Sequence, residues 1–348
     1  MRASDVGGEY HDSMNNLTES IHRLASETGF SGVVRVDHGD DTQLSEAYGL
    51  AHRGFRLPNT VDTQFAVASG GKGFTALAVV SLIVDGVLSL DTTARSVLGD
   101  DLPLVDGDVT VGHLLAHRSG IGDYLDEENE DLDSNDYVLV SPIHELATTE
   151  AFLAEVDGHP AKFAAGERFS YCNGGYIVLA LIAERAGGAT YHDLIKERVL
   201  VPAGMVDTAF LRSDEPSGRM ALGYLHPDGL RTNVLHLPVR GNGDGGIYST
   251  VADMHAFWSA FADCRVVPEE WMAEMTRPHS DVPENHARYG LGFWLAETGP
   301  TVKLVGGDAG VSFYSAHDPI TRSTWTVVSN TADGAWPIVR HVRDHLGD

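Results

Sequence analysis

Extended stretches rich in β-branched and aromatic residues sit near both ends of this chain, and the middle reads as helix and turn. Gly32-Val33-Val34-Arg35-Val36-Asp37 and Gln43 to Gly49 alternate as two strands across the acidic turn His38-Gly39-Asp40-Asp41. Residues 290–295, 302–305, 311–315 and 323–329 read as strands again. Helical spacing marks residues 11–28, through Met14, Leu17, Ile21 and Leu24, and a last helix over about 335–346. An antiparallel sheet built from both chain ends, with flanking helices and an inserted mostly helical region, satisfies this order: an α/β fold of the α+β type. Residues 1–68 and 246–348 are expected to form the discontinuous sheet domain and 69–245 the helical region, with the active site between them.

Charge narrows the partners. The 348 residues carry 50 acidic against 24 basic side chains, a formal charge of −26, which argues against nucleic acid or an anionic membrane surface. Cys172 and Cys264 make no disulfide framework. The first residues lack the apolar core of a secretory signal, and the most apolar run, Leu77 to Leu90, is broken by Asp85-Gly86. A cytoplasmic protein without a membrane partner is expected.

The central chemical candidate is Ser69-Gly70-Gly71-Lys72, where a short apolar run meets a helical pattern with Phe74, Leu77 and Val80 on an apolar face. If Ser69 opens that helix, Lys72 lies one turn on and on the same side. A serine hydroxyl needs a neighbouring base to become a nucleophile, and a lysine serves if burial holds it neutral part of the time. The helix N-terminus adds N–H groups suited to a developing oxyanion. The same four residues also fit an N-cap serine beside a solvated lysine. A second candidate is Tyr171-x-Asn173, in a turn-rich loop before the apolar helix 176–183. A phenol near a lysine ammonium can be pushed toward phenolate and shuttle a proton, and the asparagine amide can orient the lysine.

Other motifs are weaker. Residues 110–121 read as a helix capped by Thr110 and closed by Gly120, with His113 and His117 four apart, but no third ligand adjoins them and no metal is expected. The acidic run 126–136 reads as a solvated loop, 143–156 as an amphipathic helix, and 190–200 as a further helix. Thr250 is placed to cap a helix over 251–261. Gly241 to Thr250 is glycine-rich, but no lysine follows in the position a phosphate loop needs.

Taken together these segments resemble the serine β-lactamase-like family, which includes class C β-lactamases, D-alanyl-D-alanine carboxypeptidases, D-aminopeptidases and related esterases. The resemblance runs through residues 65–76, 110–121, 166–173, 202–208 and 245–253 in order. It implies that Ser69 is acylated, that Lys72 is its base or tunes the base, and that Tyr171 passes the proton to the leaving group. Asn173 would hold Lys72 and the substrate, and no cofactor is implied. It also implies an oxyanion hole from the backbone N–H of Ser69 and one on an edge strand. That strand departs from the family pattern of Lys-Thr-Gly or His-x-Gly: here it reads Leu304-Val305-Gly306-Gly307-Asp308. Gly307 is the candidate second oxyanion donor, and Gly306 and Asp308 are candidate substrate-orienting residues. Leu304 takes the polar position, and Lys303 faces the other side of the strand. The expected function is a serine hydrolase forming an acyl-enzyme on a small ester, amide or peptide, neutral or amine-bearing. The alternatives are a D-amino-acid peptidase or β-lactamase, and an idle relative that binds a ligand or regulates a partner.

Overall fold

A computed structural model describes residues 3–129, 131–133 and 137–346. Its strands are β1 (Gly32–His38), β2 (Asp41–Tyr48), β3 (Leu50–His52), β4 (Leu57–Pro58), β5 (Phe65–Ala66), β6 (Tyr248–Ser249), β7 (Ser280–Val282), β8 (Ala287–Tyr289), β9 (Trp294–Ala296), β10 (Val302–Asp308), β11 (Val311–Asp318) and β12 (Ser323–Ser329). Its helices are α1 (Ala3–Thr28), α2 (Lys72–Val84), α3 (Ala94–Leu98), α4 (Val111–Leu115), α5 (Leu153–Val156), α6 (Asn173–Gly187), α7 (Tyr191–Ile195), α8 (Val201–Ala203), α9 (Val251–Ala262), α10 (Glu269–Thr276) and α11 (Ala335–Leu346).

Eight strands pair in the order β2-β1-β12-β11-β10-β9-β8-β7, with every neighbour antiparallel. The first two come from one end of the chain and the rest from the other, as the sequence pattern requires. Both faces are covered, which is why β1 and β12 are buried along nearly their whole length. Val34, Tyr314 and Val327 are in register on one face and pack with α1 and α11; Val33, Phe313 and Val328 lie on the other. On that second face lie α9 and α2, and α6 packs against α2. A buried bond ties α9 to the sheet: Trp258 Nε1 donates to Ser315 Oγ at 2.8 Å. No helix among the described residues is long and apolar enough to cross a membrane.

Several local expectations change. Helix α2 has no single apolar face, because Lys72 to Val80 are all buried; it runs through the core. The helix expected over 110–121 stops at Leu115, and His117 beyond it holds φ +52. His113 serves the N-cap instead: Thr110 N–H donates to its Nδ1 at 3.3 Å. The two histidines therefore share no helix face. The helix expected over 143–156 is mostly loop, ending in a short 3₁₀ turn and α5. Buried Glu155 accepts from Val140 N and Ser141 N at 2.9 and 2.6 Å, which folds the segment back on itself. The 190–200 helix divides into α7, a wider turn and α8, closed by Gly204 at φ +75.

What brings the sheet to the helical layer is the absence of side chains at a few contacts. A Cβ on Gly306 would lie 2.1 Å from Val67 O, and one on Gly70 would lie 2.5 Å from the Phe313 ring. Gly306→Ala therefore forces backbone apart and should cost about 1–3 kcal/mol, read as a lowered urea midpoint. Turnover should fall further than stability does, because the same Cβ would sit 3.1 Å from Ser69 N. A variant of full stability and activity would contradict this packing.

Candidate active site

Ser69 lies in the short 3₁₀ turn Ala68–Gly71 that runs into α2. It is not the helix cap: Ala68, just before it, is held at φ +44, a conformation that costs a non-glycine residue energy and persists only where its surroundings impose it. The surroundings here are β5, paired to β6, and β10 behind the turn.

Lys72 is not solvated, being 2% exposed. Its Nζ lies 2.8 Å from Ser69 Oγ, 2.8 Å from Asn173 Oδ1 and 2.7 Å from Asp244 O. The last two can only accept. Two of the three directions at Nζ are thus fixed as N–H donors, and the third, carrying a proton or a lone pair, points at Ser69 Oγ.

Asn173 is held so that its oxygen must face Lys72. Its Nδ2 donates to Leu125 O and to Glu127 Oε1, both at 3.0 Å. Its own N–H and that of Gly174 donate to the Asp123 carboxylate at 2.6 and 2.8 Å, so Asp123 closes the first turn of α6 beside the cap at Cys172. Burial pushes the Asp123 carboxyl up to about 6 against the pull of those N–H groups. The acidic run beyond it is not simply solvated. Glu127 reaches the site, and its neighbours Asp126 and Glu128 pair with Lys162 at 2.9 and 2.7 Å. Glu130 and residues 134–136 of that run lie outside the described residues.

Tyr171 is stacked against Trp294 at 5.9 Å and packs at a tilt against His117 at 4.3 Å between ring centroids. Its phenol interacts with the Ser69 hydroxyl, and Lys72 Nζ lies 4.9 Å from the ring centroid. Burial, then the Glu127 charge, raise its pKa well above 10, outweighing the lowering from Ser69. These surroundings work against the phenolate character that the lysine alone would favour. His117 accepts from Cys172 N at 3.0 Å, and burial together with Lys72 lowers its pKa. It supports the aromatic stack. Among the described residues no group of three or more His, Cys, Asp or Glu side chains could hold a metal ion.

On β10, Gly307 and Asp308 line the cleft that opens at Ser69, and Gly306 does not. Gly306 is a close-packing position behind the nucleophile, not a substrate-orienting one. Leu304 is buried, with its Cδ2 2.6 Å from where a Cβ on Gly73 would lie, so no polar group stands in for the family's lysine or histidine. Burial lifts Asp308 to about 7, helped by Asp244 and Glu127 and opposed by Ala309 N–H and Lys72. Tyr137 Oη donates to Asp308 at 3.4 Å and Tyr124 Oη to Asp244 Oδ2 at 2.5 Å.

Asp123, Glu127 and Asp244 carry no motif of their own. Asp244 acts through a backbone carbonyl, which no side-chain pattern announces. The glycine-rich segment around it sits directly on the nucleophile turn: a Cβ on Gly245 would lie 2.6 Å from Ala68 O.

A family model described as Beta-lactamase matches residues 17–344. A penicillin-binding protein of Bacillus subtilis (strain 168) is 28% identical over 319 residues, covering 86% of this chain and 67% of that protein. The D-aminopeptidase of Brucella anthropi is 30% identical over 287 residues, covering 78% of this chain and 50% of that protein, so the chain spans half its length. Among solved structures, a penicillin binding protein from Bacillus halodurans superposes with a TM-score of 0.86 at 34% identity, covering 93% of this chain and 99% of that one.

The raised Asp123 pKa gives a stability test. Because it moves from 3.8 to about 6 on folding, the native state holds a proton between those values that the unfolded chain has released. That contribution is present below pH 4 and lost as pH rises through 6. Urea unfolding should show wild type losing stability relative to Asp123→Asn over this window, by up to about 1.4 kcal/mol per pH unit. Parallel curves would contradict the assignment.

Proposed function

The chain belongs to the beta-lactamase family of serine hydrolases, and within it we propose that Ser69 is acylated by small esters or amides that are neutral or amine-bearing. The observation that carries this is the third direction of Lys72 Nζ, aimed at Ser69 Oγ while Asn173 Oδ1 and Asp244 O hold the other two. With its lone pair there, Lys72 takes the Oγ proton as Oγ attacks the carbonyl carbon. The carbonyl oxygen becomes an oxyanion facing the N–H groups of Ser69 and Gly307. The Lys72 ammonium and the Tyr171 phenol, both beside Oγ, are then the groups able to protonate the departing alcohol or amine. Water enters the vacated space, returns its proton by the same route, and releases the acid.

Two observations support the substrate class. A substrate carboxylate would need a cation where Leu304 is buried, and the cleft wall instead carries Glu127, Asp244 and Asp308. The likeness to a D-aminopeptidase favours the amine-bearing amide as the second reading. The intact Lys72 geometry weighs against an idle relative.

Intact mass after incubation with a fluorophosphonate should show one adduct on wild type and none on Ser69→Ala. Absence of an adduct on wild type would sink the nucleophile. A stable penicilloyl adduct in the parallel sample would move the reading to the peptidase or β-lactamase side. Lys72→Met should lower ester turnover at least about 10²-fold, with the Ser69 reading weakened if turnover is unchanged.

A further inference from the structure

Asp244 O can occupy one direction of Lys72 Nζ only while the turn that carries it is itself held. That turn lies along the start of α2: a Cβ on Gly71 would lie 3.1 Å from Gly245 Cα, and Asn242 and Gly245 exchange backbone hydrogen bonds at 2.9 and 3.1 Å. Its two inner carbonyls engage the same helix. Asp244 O accepts from Lys72 Nζ at 2.7 Å, and Gly243 O accepts from Thr75 Oγ1 at 2.5 Å. Lys72 and Thr75, one turn apart, lie on one side of α2.

Thr75 is fully buried in a stretch that is otherwise apolar from Phe74 to Val80, so its hydroxyl needs partners within the protein. The hydroxyl has one hydrogen, and a carbonyl can only accept. That hydrogen goes to Gly243 O, the shortest of its contacts, with Gly71 O further off at 3.4 Å. Tyr191 Oη, on α7 and also fully buried, lies 2.8 Å from Thr75 Oγ1 and must then donate to it. The bonds form a directed chain from Tyr191 to Thr75 to Gly243. Neither Thr75 nor Tyr191 lines the cleft.

We propose that Thr75, oriented by Tyr191, is a positioning residue for the acylation of Ser69. Its hydroxyl fixes the Gly243 carbonyl, and through the next peptide it keeps Asp244 O on Lys72 Nζ. If that carbonyl swings away, a lysine N–H is released and competes for the direction in which the lone pair must face Ser69 Oγ. Thr75 reaches neither the substrate nor the reacting atoms, so it acts on the rate of acylation and not on binding. This rests on the reading of Ser69 as the nucleophile and Lys72 as its base.

The test labels the full chain with a fluorophosphonate at several concentrations, which separates kinact from KI, and measures the urea midpoint beside it. Thr75→Val keeps the shape and loses the hydroxyl, whereas Thr75→Ser keeps the hydroxyl and loses a methyl. In Thr75→Val, kinact should fall about tenfold to hundredfold with KI within about twofold of wild type. In Thr75→Ser, kinact should stay within about threefold of wild type even where the urea midpoint drops. Tyr191→Phe should lower kinact about threefold to tenfold, and adding it to Thr75→Val should lower it no further. Wild-type kinact in Thr75→Val, or an equal loss in Thr75→Val and Thr75→Ser, overturns the proposal. Should Thr75→Val not fold, Tyr191→Phe decides, and an unchanged kinact there overturns it. A wild type that takes no label overturns the Ser69 reading and this one with it, whereas equal labelling of wild type and Thr75→Val overturns this one alone.

Discussion

The buried nitrogen of Lys72 is the point on which the site depends. A cationic or strongly polar group 2% exposed is tolerated only where hydrogen bonds replace the water it has lost, and here three oxygens do so from three separate parts of the chain. Ser69 lies one turn before it, Asn173 opens α6, and Asp244 belongs to the glycine-rich turn before β6. Each of these must arrive in place for the others to be satisfied, so the lysine couples the nucleophile turn, the inserted helices and the turn beside the sheet. The supporting contacts extend outward by the same logic. Asp123 and Glu127 fix the asparagine, and Lys162 fixes the segment that carries Glu127.

The second constraint is steric. The strand behind the nucleophile approaches as closely as it does because Gly306 has no side chain, and α2 lies against Leu304 because Gly73 has none. The Gly70-Gly71 pair, which by helix propensity alone only weakens a first turn, has the same use: Phe313 and Gly245 occupy the space its side chains would fill. Leu304 itself belongs to this packing and not to the cleft. The cleft lining carries Glu127, Asp244 and Asp308, and burial raises the Asp308 pKa to about 7.

Much of this could be read from residue order. The hairpin over 32–48, the strands from 302 onward, the terminal helices and the caps at Thr110 and Thr250 all follow from periodicity and local hydrogen bonding. The failures have a common cause. Residues 143–156 and 116–121 have helical spacing but are pulled out of helix by bonds to distant groups: Glu155 to Val140 and Ser141, and His117 to Cys172. Spacing along a chain reports what a segment prefers alone, and long-range partners outweigh that preference.

The sequence by itself determined the antiparallel sheet drawn from both chain ends, and the family through Ser69, Lys72, Tyr171 and Asn173. These depend on residue type and order, which the chain states outright. Only the tertiary structure decided that Tyr171 is buried in an aromatic stack, that Gly306 packs behind the nucleophile, and that a backbone carbonyl at Asp244 holds the lysine. Burial, close approach and a long-range hydrogen bond are relations between residues far apart in the chain, and they exist only once it has folded.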